Sequence, residues 1–342
     1  MFSAIRTNRL VVRPMRLDDA EGLFRRRNDP DVARFQSWPR PFPRESAQTT
    51  VGEIADSDGP TDGEWWMLAV ADAGTDEVLG DLALFLSNEG RSAEIGYTFG
   101  SEHWCNGYAV EAVEALVAQL FQAFGVTRVF AMLHPDNRPS AMVLERTGFL
   151  FEGHTRLSCW VGDENTDDLI YGLTRDDWGA WRDRPRTPPT HVGLVEVTPF
   201  NFRDVYALRT HRSQESFVAP MPGSLAQALI APLDGPGTPQ TPWLRAIEAD
   251  GEVTGFVMLA LIDDPEQVPF LWRLLIDRMH QRRGIAGMAL DLVEDDVRAM
   301  GEAALMTSWI PGRGSPEPFY RARGFEPTGD IDNGEVVARK TL

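Results

Sequence analysis

The chain has 342 residues, 43% apolar and 10% aromatic, which is too long for one ordinary domain and rich enough to bury two cores. Its 51 acidic residues against 33 basic ones leave a formal charge of −18, which argues against nucleic acid or an anionic membrane as partner and suits a cationic one or a simply solvated surface. Two cysteines, Cys105 and Cys159, form neither a disulfide framework nor a metal spacing, and neither a leader-like N-terminus nor an apolar run of about 18 residues stands out, so the expectation is a soluble, cytoplasmic protein without a metal.

In chain order, the segment containing Phe35 and Trp38 precedes a loop from Asp56 to Gly63. A strand is predicted at Ala93–Phe99, with Ile95, Tyr97 and Phe99 on one face, followed by a loop to Gly107. A helix then carries Val110, Val113, Leu116, Val117, Leu120, Phe121 and Phe124 in one stripe. A strand (Arg128–Leu133), a short helix, the pair Gly148 and Phe149, and Gly153 complete this half. The run Asp183 to Thr190, with three prolines, can continue neither helix nor ladder and reads as an interdomain linker. The predicted organisation is a domain over 1–182, a linker over 183–191 and a second domain over 192–342.

The second half contains a loop-like insertion from Leu233 to Pro242 and then repeats the order of the first. A strand (Phe270–Ile276) leads through a loop to Gly284 and a helix striped by Ile285, Met288, Leu292, Val293, Val297 and Met300. A strand (Ala303–Ile310), a short helix, and Gly324, Phe325 and Gly329 follow. Gly107 to Gly284 is an offset of 177 residues, and Phe149 to Phe325 and Gly153 to Gly329 are each 176. An ordered series at nearly constant offset is two copies of one α/β fold with a mixed sheet.

A glycine loop between a strand and a helix N-terminus presents backbone amides at the positive end of the helix dipole, which suits a pyrophosphate; a tight strand-to-helix turn would use the same glycine. Neither loop has the spacing of a P-loop or of a dinucleotide-binding fold.

The second loop, QRRGIAG (Gln281 to Gly287), resembles the Q/R-x-x-G-x-G/A loop by which GNAT acetyltransferases hold the CoA pyrophosphate. With WRLLID (Trp272 to Asp277), SFVAP (Ser216 to Pro220) and FYRARGFEPTG (Phe319 to Gly329), residues 192–342 are similar to the polyamine acetyltransferase branch. The first copy, with AEIGY, WCNGYAVEA (Trp104 to Ala112) and HPDNRPSAMVLERTGFLFEG (His134 to Gly153), is similar to the ribosomal-protein alanine acetyltransferase branch. It departs from that branch at Cys105 and Asn106, where a small residue and then a basic one are usual. The resemblance implies two acyl-CoA N-acyltransferase folds in tandem that use acetyl-CoA as donor and a small-molecule or peptide amine as acceptor. A CoA-binding sensor or scaffold with one silent copy is the alternative, and the oligomeric state stays open.

The resemblance also implies the site. CoA is expected on Trp104, Cys105, Asn106, Gly107, Tyr108 and Ala109 in copy one, and on Gln281, Arg282, Arg283, Gly284, Ile285 and Ala286 in copy two. The preceding strands contribute Tyr97 and Phe99, and Leu275 and Ile276, with the oxyanion donor a backbone amide near Tyr97 and near Leu275. Asn137 would hold the pantetheine arm with Ser140 near the sulfur, or the two would be a turn and a helix cap. Tyr320 stands where many of these enzymes place a general-acid tyrosine, and copy one has Leu144 there. Glu94 is the candidate base of copy one, with Glu215 and Glu335 candidates in copy two, although each could be a surface charge. Phe35, Trp38, Glu215 and Phe217 are expected to line the acceptor site, or the aromatics to be core.

Overall fold

The computed structural model describes residues 2–230, 240–262 and 268–342. The chain folds as two compact units, Met1–Asp183 and Arg184–Leu342.

In the first unit a hairpin of β1 (Ile5–Arg6) and β2 (Leu10–Pro14) is followed by α1 (Ala20–Asn28), α2 (Pro30–Ala33) and α3 (Arg44–Ala55). Next, β3 (Trp65–Asp72), β4 (Val78–Ser87) and β5 (Ser92–Phe99) form an antiparallel meander. The helix α4 (Tyr108–Ala123) carries the chain to β6 (Arg128–Leu133), which runs parallel to β5, since a parallel partner needs such a crossover. After α5 (Arg138–Arg146), the hairpin of β7 (Leu150–Val161) and β8 (Glu164–Thr174) and then α6 (Arg175–Asp183) close the unit. The sheet order is β1-β2-β3-β4-β5-β6-β8-β7. Val113, Leu116, Val117, Leu120 and Phe121 of α4 are buried, so the predicted stripe is the face turned to the core. On the opposite side, the buried pair Arg26–Asp81 at 2.9 Å ties α1 to β4. Removing one partner of such a pair leaves an uncompensated buried charge.

The second unit repeats the plan with β9 (Val192–Glu196), α7 (Phe202–Ala207), α8 (Met221–Leu229), β10 (Gln240–Ala249), β11 (Glu252–Ile262) and β12 (Phe270–Ile276). The helix α9 (Ile285–Ala299) crosses to β13 (Ala304–Trp309), and α10 (Glu317–Ala322), β14 (Glu326–Asp332) and β15 (Glu335–Thr341) follow. Its described strands are ordered β14-β15-β13-β12-β11-β10-β9. Of the predicted insertion Leu233 to Pro242, the part up to Pro239 lies outside the described residues.

The proline-rich run leaves the end of α6 at Asp183 and is fastened to the second unit. The amides of Thr190 and His191 donate to the Asp250 carboxylate at 3.0 and 2.9 Å, and Arg283 Nε donates to the Thr187 carbonyl at 2.8 Å.

Both sheets come apart at the same place. β5 meets β6 only at Ser92↔Arg128, Ala93↔Val129 and Glu94↔Phe130. β12 meets β13 only at Phe270↔Met306 and Leu271↔Thr307. Beyond these pairs each parallel couple diverges, leaving a wedge whose walls are unpaired strand edges.

Candidate active site

Strand pairing decides which peptide groups face each wedge. The Gly100 amide donates to the Leu79 carbonyl at 3.0 Å, so in the alternating antiparallel ladder the peptide groups of Thr98, Gly96 and Glu94 face β4. Those of Ile95, Tyr97 and Phe99 face the wedge. The Phe99 carbonyl is taken by Trp104 Nε1 at 2.9 Å, which leaves Tyr97 as the peptide group inside the opening. In the second unit the Asp277 amide donates to the Thr254 carbonyl at 2.8 Å, which turns Leu275 toward β11 and Leu274 and Ile276 toward the wedge. Gln281 Nε2 donates to the Ile276 carbonyl at 3.0 Å, as Trp104 does to Phe99. The sequence placed the amide near Leu275; the pairing corrects this to Leu274. The Leu275 side chain is buried in the cluster formed with Val205, Met221 and Phe256.

Each wedge ends at a loop with two left-handed residues. Cys105 and Gly107 have φ of 63° and 78°, and Arg282 and Gly284 have 66° and 81°. Such residues on either side of Asn106 and of Arg283 turn successive amides inward, next to the uncapped first turns of α4 and α9. Tyr108, Ala109, Ile285 and Ala286 supply first-turn amides; the Ile285 side chain is buried in the core. In the first loop a cation comes from another part of the chain: Arg9 Nη1 donates to the Asn106 carbonyl at 2.9 Å, its Nε donates to Glu111 at 2.7 Å, and its guanidinium covers the Tyr108 ring at 4.7 Å. In the second loop Arg282 is exposed. Arg283, expected as a CoA contact, is 7% exposed and directed to Thr187 and His280, so only its amide is available. Gln281 is held by Gln214 as well as by Ile276.

Two tyrosine hydroxyls, and the Ser140 hydroxyl beside the first, stand near the wedges. In the first unit the Tyr97 hydroxyl donates to the Ser140 carbonyl at 2.8 Å and lies 2.8 Å from Ser140 Oγ. Burial pushes the Tyr97 hydroxyl far above the ordinary tyrosine range, with the Ser140 contact opposing. Asn137 Oδ1 accepts from the Ser140 amide at 3.3 Å, the N-cap of α5. In the second unit the Tyr320 ring packs among Trp309, Phe319 and Phe325. Burial pushes its hydroxyl up to about 12, while Thr307 and Arg273 pull it down. Thr307 sits at the last pair of β12 and β13, so the hydroxyl is directed to the apex of the wedge.

Glu94, at the last pair of β5 and β6, is half-buried, and burial followed by the charge of Asp168 raises its pKa. Glu335 accepts from the Ser308 hydroxyl, and Glu215 is paired with Arg212. Phe35 stacks on His134 at 5.0 Å, beside the end of β6. Trp38 donates from Nε1 to the Arg27 carbonyl at 3.0 Å and packs on the core, so it braces the loop. Phe217 lies against Gly314 of the loop after β13. Arg9, Asp168, Thr307 and Arg273 were not found from sequence; they come from elements whose neighbours are set only by the fold. A cavity of about 520 Å³ lined by Arg13, Asp19, Arg26, Asp29 and His103 holds none of these candidates. Among the described residues no group of three His, Cys, Asp or Glu side chains could hold a metal, and no helix is long and apolar enough to cross a membrane.

A family model described as an acetyltransferase (GNAT) domain matches residues 9–150, and one described as the acetyltransferase (GNAT) family matches residues 202–325. The chain is 30% identical over 176 residues to the uncharacterized N-acetyltransferase YoaA of Bacillus subtilis (strain 168), covering 51% of this chain and 98% of that protein. It is 32% identical over 151 residues to the uncharacterized N-acetyltransferase p20 of Bacillus licheniformis, covering 44% and 84%. A third match, 27% identical over 88 residues, is to the ribosomal protein uS5-alanine N-acetyltransferase of Escherichia coli (strain K12), covering 26% and 45%. The repeated wedge and glycine loop thus have their explanation: the chain belongs to the GNAT acetyltransferases and carries two domains of that family in tandem.

Proposed function

We propose that both units bind acetyl-CoA in their wedges and pass the acetyl group directly to an amine in a ternary complex. The observation that carries this reading is the coincidence, in each unit, of an unpaired strand edge with a doubly left-handed loop at a helix N-terminus. The loops suit the pyrophosphate, with Arg9 or Arg282 as the nearby cation. The pantetheine arm would lie along the open edge, bringing the thioester oxygen to the amide of Tyr97 or Leu274, which stabilises charge as it develops.

The amine nitrogen attacks the thioester carbon, the C–S bond breaks, and the thiolate leaves with a proton. Ser140, hydrogen-bonded to the Tyr97 hydroxyl, supplies that proton in the first unit and Tyr320 in the second, and each recovers a proton from the nitrogen of the tetrahedral intermediate as the amide forms. The ammonium proton of the incoming acceptor passes to Glu94 in the first unit and to Glu335 in the second, and a raised carboxyl pKa brings Glu94 closer to the range a base needs. The acceptor is a small-molecule or peptide amine.

The test is thiol release from acetyl-CoA by the full chain across a set of amines. Amine-dependent release that falls in steps with Ser140→Ala and with Tyr320→Phe supports two working sites. Acetyl-CoA binding without amine-dependent release sinks the proposal and leaves a CoA-binding protein.

A further inference from the structure

We propose that the acceptor of the first unit is a dication, an amine with a second ammonium a short hydrocarbon chain away. The inference rests on the acetyl-transfer reading of the wedge and names the substrate class of that site. Glu94 begins a row that continues across the sheet through Phe130 of β6 to Gly172 of β8. By strand alternation the same face carries Met132 on β6 and Ile170, Asp168 and Thr166 on β8. Two carboxylates therefore share a face with an apolar bed of Phe130, Met132 and Ile170 between them, and Arg128, on the same face over the Phe130 ring, is engaged with Glu152.

Asp168 is 7% exposed and accepts from Ser158 Oγ at 2.9 Å. Its charge is felt at Glu94 and at Cys159. The basic side chains on these strands are engaged elsewhere, Arg128 with Glu152 and His154 with Asp167. Desolvated like charges without a cation are costly, and an incoming cation relieves both the burial and the mutual repulsion. A separate observation marks the Asp168 end: Thr166 Oγ1, on the same face in a residue 7% exposed, has no hydrogen-bond partner. An ammonium at Asp168 would donate to it. A monoamine satisfies Glu94 alone, and an acceptor with a carboxylate at its far end would meet Asp168 with repulsion. A diamine places one nitrogen at the thioester, its methylenes on Phe130, Met132 and Ile170, and the other nitrogen between Asp168 and Thr166.

The test is calorimetric titration of the full chain, with CoA present, using terminal diaminobutane, butylamine and aminobutyrate as probes. Diaminobutane should bind at least about tenfold more tightly than butylamine, and aminobutyrate more weakly than either. Asp168→Asn should bring diaminobutane to the level of butylamine, and Thr166→Val should weaken diaminobutane binding with butylamine unchanged. Unchanged thermal melting shows that each variant is folded. Equal binding of diaminobutane and butylamine by the parent, or a diaminobutane titration that neither substitution changes, overturns the proposal. Amine-dependent thiol release without a diamine preference leaves acetyl transfer standing and removes the dication. Diamine binding that follows Asp168 without thiol release keeps the cation bed and removes acetyl transfer.

Discussion

The Tyr97 hydroxyl lies 2.8 Å from Ser140 Oγ, joining the strand whose amide faces the first wedge to the helix after the second strand. Tyr97 thereby contributes a peptide group to the wedge and a side chain that orients the candidate proton donor. Ser140→Ala should lower the first unit's turnover by about 10²-fold with acetyl-CoA affinity little changed. Tyr97→Phe keeps the ring and frees the serine rotor, so its effect on kcat should be smaller and in the same direction. Steady-state kinetics on the full chain in a Tyr320→Phe background isolates this unit; Ser140→Ala at parental rate in that background rules the serine out.

Tyr320→Phe should lower the second unit's kcat by roughly 10² to 10⁴. Because burial raises the hydroxyl to about 12, the acid form persists through neutral and mildly alkaline pH. Loss of activity through tyrosine ionisation is therefore expected only near that value, well above the ordinary tyrosine range. A rate profile in a Ser140→Ala background that falls around pH 10 and keeps that limb in the phenylalanine variant would assign the limb to another group.

Glu94→Gln separates stability from catalysis. A raised carboxyl pKa means that the fold favours the neutral form, so this contribution to stability is full in acid and is lost as pH rises through the ordinary and then the raised pKa. At neutral pH the amide should raise the melting temperature while lowering turnover; in acid, with the carboxyl protonated in both folded and unfolded chains, the stability difference should vanish. A lower melting temperature at neutral pH would contradict the assignment of Glu94 as a strained carboxylate.

Gly284→Ala probes the second loop by conformation alone. Nothing lies within 4 Å of a Cβ built there, but φ is +81°, so the expected cost is about 1 to 2 kcal/mol of backbone strain with no clash. CoA affinity of that site should fall with it, measured by titration. Arg9→Met in the first unit should weaken CoA by no more than about 1 kcal/mol, and the difference should shrink as salt is added.

The repeat was legible in the sequence because both copies keep nearly the same spacing from glycine loop to terminal Gly-Phe, but the stripe expected on α9 is partly displaced: Met288 and Met300 are exposed, while Ala289 and Leu290, at the 177-residue offset from Ala112 and Val113, are buried. Tyr97 could be placed because β5 pairs with β4 without interruption from Gly80 to Ser87. The expectation at Leu275 is one residue off: the 177-residue offset between the loop glycines carries Tyr97 to Leu274, and the register from Arg273 to Ile276 is uninterrupted, the bulge at Trp272 lying before it. Arg283 shows another limit: of two adjacent loop arginines, the one turned inward is chosen by Thr187 and His280, which are neighbours only in the fold. Arg9 lies far along the chain from Asn106 and Glu111, as Asp168 does from Glu94, and no local pattern singles them out.

On the proposed reading, the pantetheine would add to the unpaired edge of each sheet as a surrogate strand. Until it arrives, the amides of Tyr97 and Leu274 should exchange with solvent deuterium faster than their ladder-bonded neighbours, and occupancy should slow them. Since an unfolded chain has no such edge to offer, every increment of bound CoA also draws the folding equilibrium toward the native state. The persistence of this polypeptide against proteolysis would then track the supply of the thioester pool.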